Sequence, residues 1–118
     1  MIDLILGDAR ELAESKIATG SVDLIFTDPP YLKEYLWCYG WLAQEAKRIL
    51  KPGGFCLAMC GGIYLDKIVE AMSEHLTFFW KFEVMLTSRA AVWRRPGQVI
   101  ITGSKPILAY SNGEGSPA

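Results

Sequence analysis

The stretch Val22-Asp23-Leu24-Ile25-Phe26, followed by Thr27-Asp28-Pro29-Pro30-Tyr31, decides the fold expected for this chain. Its first half is short, β-branched and aromatic, which predicts a buried strand. The two prolines end that strand, because each fixes φ at about −65° and neither has an N–H to donate. Since ligands of open α/β sheets bind outside the carboxyl ends of the strands, the loop at residues 28–31 is the predicted site.

This loop presents a carboxylate, rigid backbone carbonyls and an aromatic ring. Asp28 and the carbonyl of Pro29 could accept the two N–H bonds of an amino group on a planar ring, and Tyr31 could stack on that ring. Such an amine is a weak nucleophile because its lone pair is delocalised into the ring. Two acceptors off the ring plane favour a pyramidal nitrogen, so the loop predicts catalysis by positioning and preorganised electrostatics.

The loop and its flanking sequence resemble the DNA amino-methyltransferases, which modify the exocyclic amine of adenine or cytosine. Asp28–Tyr31 resembles their catalytic DPPY motif, and Ile5–Arg10 and Gly20–Ile25 resemble the run into it. Ala46–Gly54 resembles the helix and turn that follow it. The match covers most of residues 1–110, whereas the tetrapeptide alone would also suit a plain surface turn.

The resemblance implies a fold, an activity and a cofactor. The fold class is α/β: a partial doubly wound, Rossmann-like, three-layer sheet of the S-adenosylmethionine-dependent methyltransferases, lacking the glycine-loop strand. It would form one catalytic domain at residues 1–110, with a flexible tail at residues 111–118. The activity is methyl transfer from S-adenosylmethionine to DNA, as in restriction-modification, and an aspartate at position 28 favours adenine-N6 over cytosine-N4.

The resemblance also assigns roles to individual residues. The expected catalytic residues are Asp28, Pro29, Pro30 and Tyr31. The cofactor is expected to contact Asp8, Ala9 and Asp28. Asp8 has a second interpretation, because it directly precedes a predicted helix at residues 9–17 and could serve as its N-cap alone.

The glycine-rich loop that holds the cofactor's amino-acid end in such enzymes has no counterpart in this sequence. The glycine pairs at 53–54 and 61–62 lack the required spacing. The chain thus resembles the catalytic half of a circularly permuted, beta-type member. Three states fit: a fragment of a larger enzyme, one half of a split enzyme whose second chain supplies the cofactor loop, or an inactive remnant that binds a partner or DNA. RNA bases or a protein amide are alternative acceptors.

A basic, aromatic segment at residues 88–97 is the predicted contact with nucleic acid. Arginines could bind phosphates and a tryptophan could stack on a base, although arginines in a loop are often simply solvated. The predicted contacts are Lys33, next to the catalytic loop, and Arg89, Trp93, Arg94 and Arg95. The net charge of −1 provides no overall attraction to DNA, so binding must come from such a local patch.

Composition indicates one small globular domain: 118 residues, 51% hydrophobic and 21% charged. Cys38, Cys56 and Cys60 have no paired spacing, which predicts reduced thiols in a cytoplasmic protein. His75 is the single histidine, so no metal site is expected. The sequence shows no signal peptide and no apolar run long enough to span a membrane.

The remaining elements follow from hydrophobic periodicity. Met1–Leu6 is predicted to be a buried strand that pairs beside Val22–Phe26 or with another chain, a homodimer partner included. Helices are predicted at 9–17, 32–50 and 63–75, and strands at 55–60, 78–86, 99–102 and 107–110. A turn is expected at residues 51–54 and a loop at residues 88–97.

Overall fold

A computed structural model of the chain describes residues 1–87 and 91–113, with the backbone alone described at residues 91–95. The helices are α1 (Ala9–Lys16), α2 (Trp37–Ile49) and α3 (Leu65–Ser73), and a single 3-10 turn spans Lys33–Tyr35. The strands are β1 (Val22–Thr27), β2 (Leu50–Met59), β3 (Thr77–Met85), β4 (Ala91–Arg95), β5 (Gln98–Thr102) and β6 (Ser104–Ser111). None of the helices in this part of the chain is long and apolar enough to cross a membrane.

Four strands form one mixed sheet in the order β1-β2-β6-β3, and β4 pairs with β5 in a separate hairpin. β1 and β2 run parallel, whereas β6 is antiparallel to both β2 and β3. The α/β class is therefore confirmed, with a mixed rather than an all-parallel sheet. In this arrangement the carboxyl ends of β1, β2 and β3 and the amino end of β6 meet at one border, here called the carboxyl edge.

One face of the sheet, here called the covered face, packs against α2 and α3. The register pairs Cys56 with Tyr110 and Ala58 with Leu108, and cross-strand partners project to the same side. All four side chains are at most 1% exposed. The Tyr110 hydroxyl donates to the carbonyl of Val69 in α3 over 3.2 Å, which ties helix to sheet. The core of the described chain lies on this side.

The opposite face, here called the open face, is apolar but carries no helix among the described residues. Phe26 pairs with Leu57, and Ile107 pairs with Phe82, so these side chains project away from α2 and α3. Phe26, Phe82 and the neighbouring Trp80 are 59, 47 and 61% exposed. The second helical layer expected for a three-layer arrangement is therefore not supplied by the part of the chain that is described.

The amino-terminal segment corrects one expectation. Met1–Leu6 forms no strand and does not pair beside β1, and Met1, Leu4 and Leu6 are almost fully exposed. An apolar run becomes a strand only where a neighbouring strand supplies hydrogen-bond partners. β1 forms the border of the described sheet and pairs there with β2 alone. The prediction of an internal pairing was wrong, and pairing with another chain stays a prediction.

Two further expectations differ in detail. The helix predicted at residues 32–50 is split into the 3-10 turn and α2, which meet at Leu36. The turn predicted at residues 51–54 lies within β2 as a bulge, where the register with β1 shifts. Gly53 has φ +79°, a conformation that glycine adopts without strain. The glycines thus allow an irregular strand rather than a separate turn.

The segment at residues 88–97 is not a loop throughout. β4 pairs with β5 from Ala91 with Thr102 to Arg95 with Gln98, and Pro96-Gly97 forms the two-residue turn between them. The positive φ of Gly97, +73°, suits such a turn. The prediction of a loop was wrong for β4 because Arg94 and Arg95 interrupt the apolar pattern that indicates a strand.

The remaining predicted helices and strands match the observed ones to within a few residues. Cys56 and Cys60 are buried free thiols and Cys38 is partly buried. β6 continues to Ser111, and the Nδ2 amide of Asn112 donates to the carbonyls of Lys47 and Leu50 over 3.2 and 2.9 Å. The domain at residues 1–110 and the flexible tail after it stay predictions.

Candidate active site at the carboxyl edge

The carboxyl edge brings together three segments that are distant in sequence. The predicted catalytic loop, Asp28–Tyr31, follows β1 directly. The adjacent strand β2 ends at Met59, one residue after the pairing of Thr27 with Ala58. The backbone N–H of Cys60 donates to the carbonyl of Pro106 over 3.1 Å, which places the start of β6 beside the end of β2. The loop therefore lies where the strand order predicted a ligand site.

Within the loop, Tyr31 bonds to Asp28. The Tyr31 hydroxyl donates to Oδ1 of the Asp28 carboxylate. The Asp28 side chain is exposed, whereas Tyr31 is half-buried. Burial first, and then the hydrogen bond to Asp28, raises the pKa of Tyr31, so its hydroxyl stays protonated and remains a donor at neutral pH. The two most reactive groups of the predicted motif are thus joined in one hydrogen-bonded unit.

Lys105 is a site residue that the sequence did not reveal. Its Nζ donates to the Tyr31 hydroxyl oxygen over 3.3 Å and lies 4.7 Å from the centre of the Tyr31 ring. The two residues are 74 positions apart in the chain. Only the pairing of β6 with β2 brings them together. The sequence around Lys105 gives no sign of this contact, except that Lys105 lies near the start of a predicted strand.

The wall behind the loop is neutral. Tyr39 of α2 is buried, and its hydroxyl donates to the carbonyl of Met59 over 3.1 Å. Burial raises the pKa of the Cys60 thiol to about 12, so this fully buried side chain is uncharged at neutral pH. The charges at this end of the sheet therefore come from Asp28 and Lys105 in front of that wall, and from Lys81 and Glu83 beside it.

Lys81 and Glu83 line a cavity of about 380 Å³ between β3, β5 and the start of β6. Lys81 Nζ donates to Oε1 of Glu83 over 2.6 Å, and this bond, followed by one with Ser104, holds the pKa of Glu83 below its usual range. Pro106 is part of the same lining and pairs with Glu83. The cavity thus adjoins the strand that carries Lys105. The sequence gives no sign of this cavity, because its walls come from separate strands that meet only in the folded chain.

Asp8 has the capping role that the sequence allowed. Its Oδ1 accepts the backbone N–H of Arg10 over 2.9 Å, and Ala9 is the first residue of α1. Its Oδ2 lies 3.0 Å from Nη2 of Arg10, and the hydrogen bonds from Arg10 lower the pKa of Asp8. The Arg10 guanidinium in turn lies 4.9 Å from the ring centre of Trp37 at the start of α2. A cofactor contact at Asp8 or Ala9 stays a prediction.

The predicted nucleic-acid contacts are placed only in part. Lys33 is exposed and opens the 3-10 turn just after the predicted catalytic loop. Arg89 lies outside the described residues. The backbone of Trp93, Arg94 and Arg95 belongs to β4, and their side chains lie outside the described part of the chain. Lys33 is therefore the one member of this set whose described side chain lies near the loop in sequence and structure.

Comparison with family models gives no match, and comparison with curated proteins gives none either. Solved structures do match. A protein from Thermus thermophilus named as a DNA modification methylase, in complex with S-adenosyl-L-methionine, has a TM-score of 0.74 at 21% identity over 96% of this chain and 54% of that one.

Two other solved structures superpose similarly. The PvuII DNA methyltransferase, specific for cytosine N4, has a TM-score of 0.69 at 19% identity, over 91% of this chain and 48% of its own. The M1.HpyAVI complex with SAM has a TM-score of 0.66 at 16% identity, over 91% and 53%. At such identities the likeness concerns the fold. The described chain therefore has the fold of S-adenosylmethionine-dependent methyltransferases and spans about half the length of the solved structures that it matches.

Proposed function

We propose that this chain carries the catalytic half of an S-adenosylmethionine-dependent DNA methyltransferase that modifies adenine at N6. The observation that carries the proposal is the Asp28–Tyr31 loop at the carboxyl end of β1, with Tyr31 bonded to Asp28 and contacted by Lys105. Superposition on a protein named as a DNA modification methylase, on a cytosine-N4-specific DNA methyltransferase and on two complexes with the cofactor supports it. DNA is the proposed partner and the cytoplasm the proposed location.

The loop would act by holding an exocyclic amine. Asp28 offers its second carboxylate oxygen, and the Pro29 carbonyl offers another acceptor, while Pro30 restricts the backbone between them. Tyr31 would stack on a base flipped out of the duplex. With both N–H bonds accepted off the ring plane, the nitrogen lone pair points at the methyl donor. The nitrogen would gain the methyl group that the cofactor supplies and pass one of its two protons to solvent.

S-adenosylmethionine, when bound, supplies an electrophilic methyl group on a sulfonium. Asp8, Ala9 and Asp28 are the residues of this chain proposed to hold it. The donor set fits in part: the Asp8 carboxylate is exposed at the start of α1, where it can accept hydrogen bonds, but both of its oxygens contact Arg10. The described residues contain no glycine-rich loop for the amino-acid end of the cofactor.

A second segment is therefore proposed to complete the site. Phe26 is exposed on the open face and belongs to β1, the border strand of the described sheet. Parallel strands in α/β proteins are normally covered on both faces, and a border strand leaves a row of backbone N–H and C=O groups unpaired. A cofactor-binding segment with one more strand and its helices would pair with the border strand β1 and also cover the open face. A homodimer partner, or an inactive chain that binds DNA or a partner without turnover, is the alternative.

The first test is cofactor binding by the purified chain, measured by titration calorimetry. Saturable binding of S-adenosylmethionine that is weakened in Asp8→Ala or Asp28→Ala supports a pocket formed by these residues. No binding at millimolar cofactor would contradict an independent pocket and would favour completion by a second segment.

The second test is transfer of a labelled methyl group to DNA, with RNA and protein as competing acceptors. We expect N6-methyladenine as the product, and a loss of at least about 100-fold in Asp28→Ala because an electrostatic acceptor is removed. Asp23→Ala is the matched control, since Asp23 lies in β1, the strand that leads into the loop, and its carboxylate binds Lys51 at the surface over 3.0 Å. Unchanged transfer in Asp28→Ala, or N4-methylcytosine as the product, would overturn the assignment.

A further inference from the structure

Lys105 contacts the catalytic loop from a strand that the loop does not belong to. Its ammonium group reaches both the hydroxyl of Tyr31, over 3.3 Å, and the face of the Tyr31 ring, 4.7 Å from the ring centre. A donor bond and a cation–π contact from one side chain fix both the position and the tilt of the ring. The contact therefore restrains an aromatic side chain more than either interaction alone.

The position of Lys105 makes this restraint rigid. The next residue, Pro106, is buried, its carbonyl accepts the backbone N–H of Cys60 over 3.1 Å, and it pairs with Glu83 of β3. The backbone at residues 105–106 is thus held by strands on both sides. The loop, in contrast, has an exposed Asp28 and an exposed Pro30 at its surface. The sheet can therefore position the loop through this side chain.

The contacts form a chain of three groups. Lys105 donates to the Tyr31 hydroxyl, and the hydroxyl donates to Oδ1 of Asp28. Once Oδ1 is held, the plane of the carboxylate is set, and with it the direction of the second oxygen. Because polarised donors strengthen the next bond in such a chain, the ammonium also makes Tyr31 a better donor.

We infer that Lys105 is a positioning residue that orients the Asp28 carboxylate through Tyr31. The inference rests on the proposed function for the use of that carboxylate, but the orientation itself needs no substrate. Lys105 would act on the geometry of the acceptor oxygens and not on the methyl group or the amine. Its removal should therefore lower kcat for methyl transfer by a larger factor than it raises KM for DNA.

The deciding experiment is NMR of the chain with 13C-labelled tyrosine rings, in which Tyr31→Phe assigns the Tyr31 signal. Lys105→Met should shift this signal and broaden it, whereas Lys105→Arg should keep it near its original position because the cation and the donor remain. Lys81→Met is the matched control: it removes the same charge at the same edge, but Lys81 bonds to Glu83. An unchanged Tyr31 signal in Lys105→Met, or an equal shift in Lys81→Met, would overturn the inference.

Kinetics of the active enzyme give the second readout. Lys105→Met should lower kcat about tenfold, as expected for one charge-assisted hydrogen bond. In a Tyr31→Phe background the same change should have almost no further effect, because the hydroxyl that transmits it is gone. Additive losses would contradict action through Tyr31. Absence of methyl transfer in every variant would count against the proposed function, while the NMR result would still decide the role of Lys105.

Discussion

The covered and open faces of the sheet are both apolar, yet they differ in what the rest of the chain provides for them. On the covered face, Leu108 and Tyr110 are at most 1% exposed under α2 and α3. On the open face, Phe26, Trp80 and Phe82 are 47 to 61% exposed. Apolar composition alone therefore does not produce a core. The covered face forms the core of the described chain. The open face is an exposed apolar patch of the kind that marks an interaction surface.

Truncating one apolar side chain on each face should give the largest difference in stability. Leu108→Ala removes a fully buried side chain and should lower the free energy of unfolding by about 2–5 kcal/mol. Phe82→Ala removes a larger side chain but one that is half-exposed, and should cost about 1 kcal/mol or less. Urea denaturation followed by circular dichroism measures both. Equal losses would show that the open face is covered in solution.

The buried thiol of Cys56 gives the covered face a dependence on alkaline pH. Burial raises its pKa from 9.0 to about 12, so the folded state keeps the neutral thiol while the unfolded state ionises. Its contribution is complete below pH 9 and is lost as pH rises from 9 to 12, at roughly 1.4 kcal/mol per pH unit. Denaturation midpoints measured across this window should fall less steeply in Cys56→Ala.

Cys38 provides the control for this titration. It is only partly buried, and burial raises its pKa in the same direction. Cys38→Ala should therefore change the slope less than Cys56→Ala does. The same slope in the two variants would mean that other groups, such as the buried tyrosines, dominate the alkaline loss.

The smallest effect on folding is expected on the open face itself. Trp80→Lys places a charge where the indole is already 61% exposed, so the free energy of unfolding should change by no more than about 0.5 kcal/mol. Self-association at high concentration should fall, because the apolar patch is interrupted. Sedimentation velocity measures this, with Gln44→Lys at an exposed position of α2, on the other side of the sheet, as the control. Equal self-association of both variants would show that the open face is not the contact surface.

Local patterns predicted the parts of the fold that depend on local interactions. β1 and its proline-ended loop were predicted because strand period and backbone restriction act within about ten residues. The N-cap at Asp8 was predicted because capping involves residues two or three positions apart. The loop at residues 28–31 therefore lies at the end of a strand, as expected, and the catalytic roles of its residues stay predictions.

The features that were missed depend on contacts between distant segments. Met1–Leu6 has the composition of a strand, but a strand also needs a partner, and the described residues supply none for it. The contact of Lys105 with Tyr31 spans 74 residues and exists only because β6 lies beside β2. Pairing order is a property of the whole sheet, and the apolar pattern of one segment does not contain it.

The strand order also constrains the sequence of events during synthesis. β3 is made before β6, yet it joins the sheet only through β6, which lies between it and β2. An emerging chain that has exposed Thr77–Met85 must wait until Ser104–Ser111 has left the ribosome before this aromatic strand can pair. During that interval β3 is an unpaired, apolar strand of the kind that aggregates. The hairpin made by β4 and β5 sets the length of the delay.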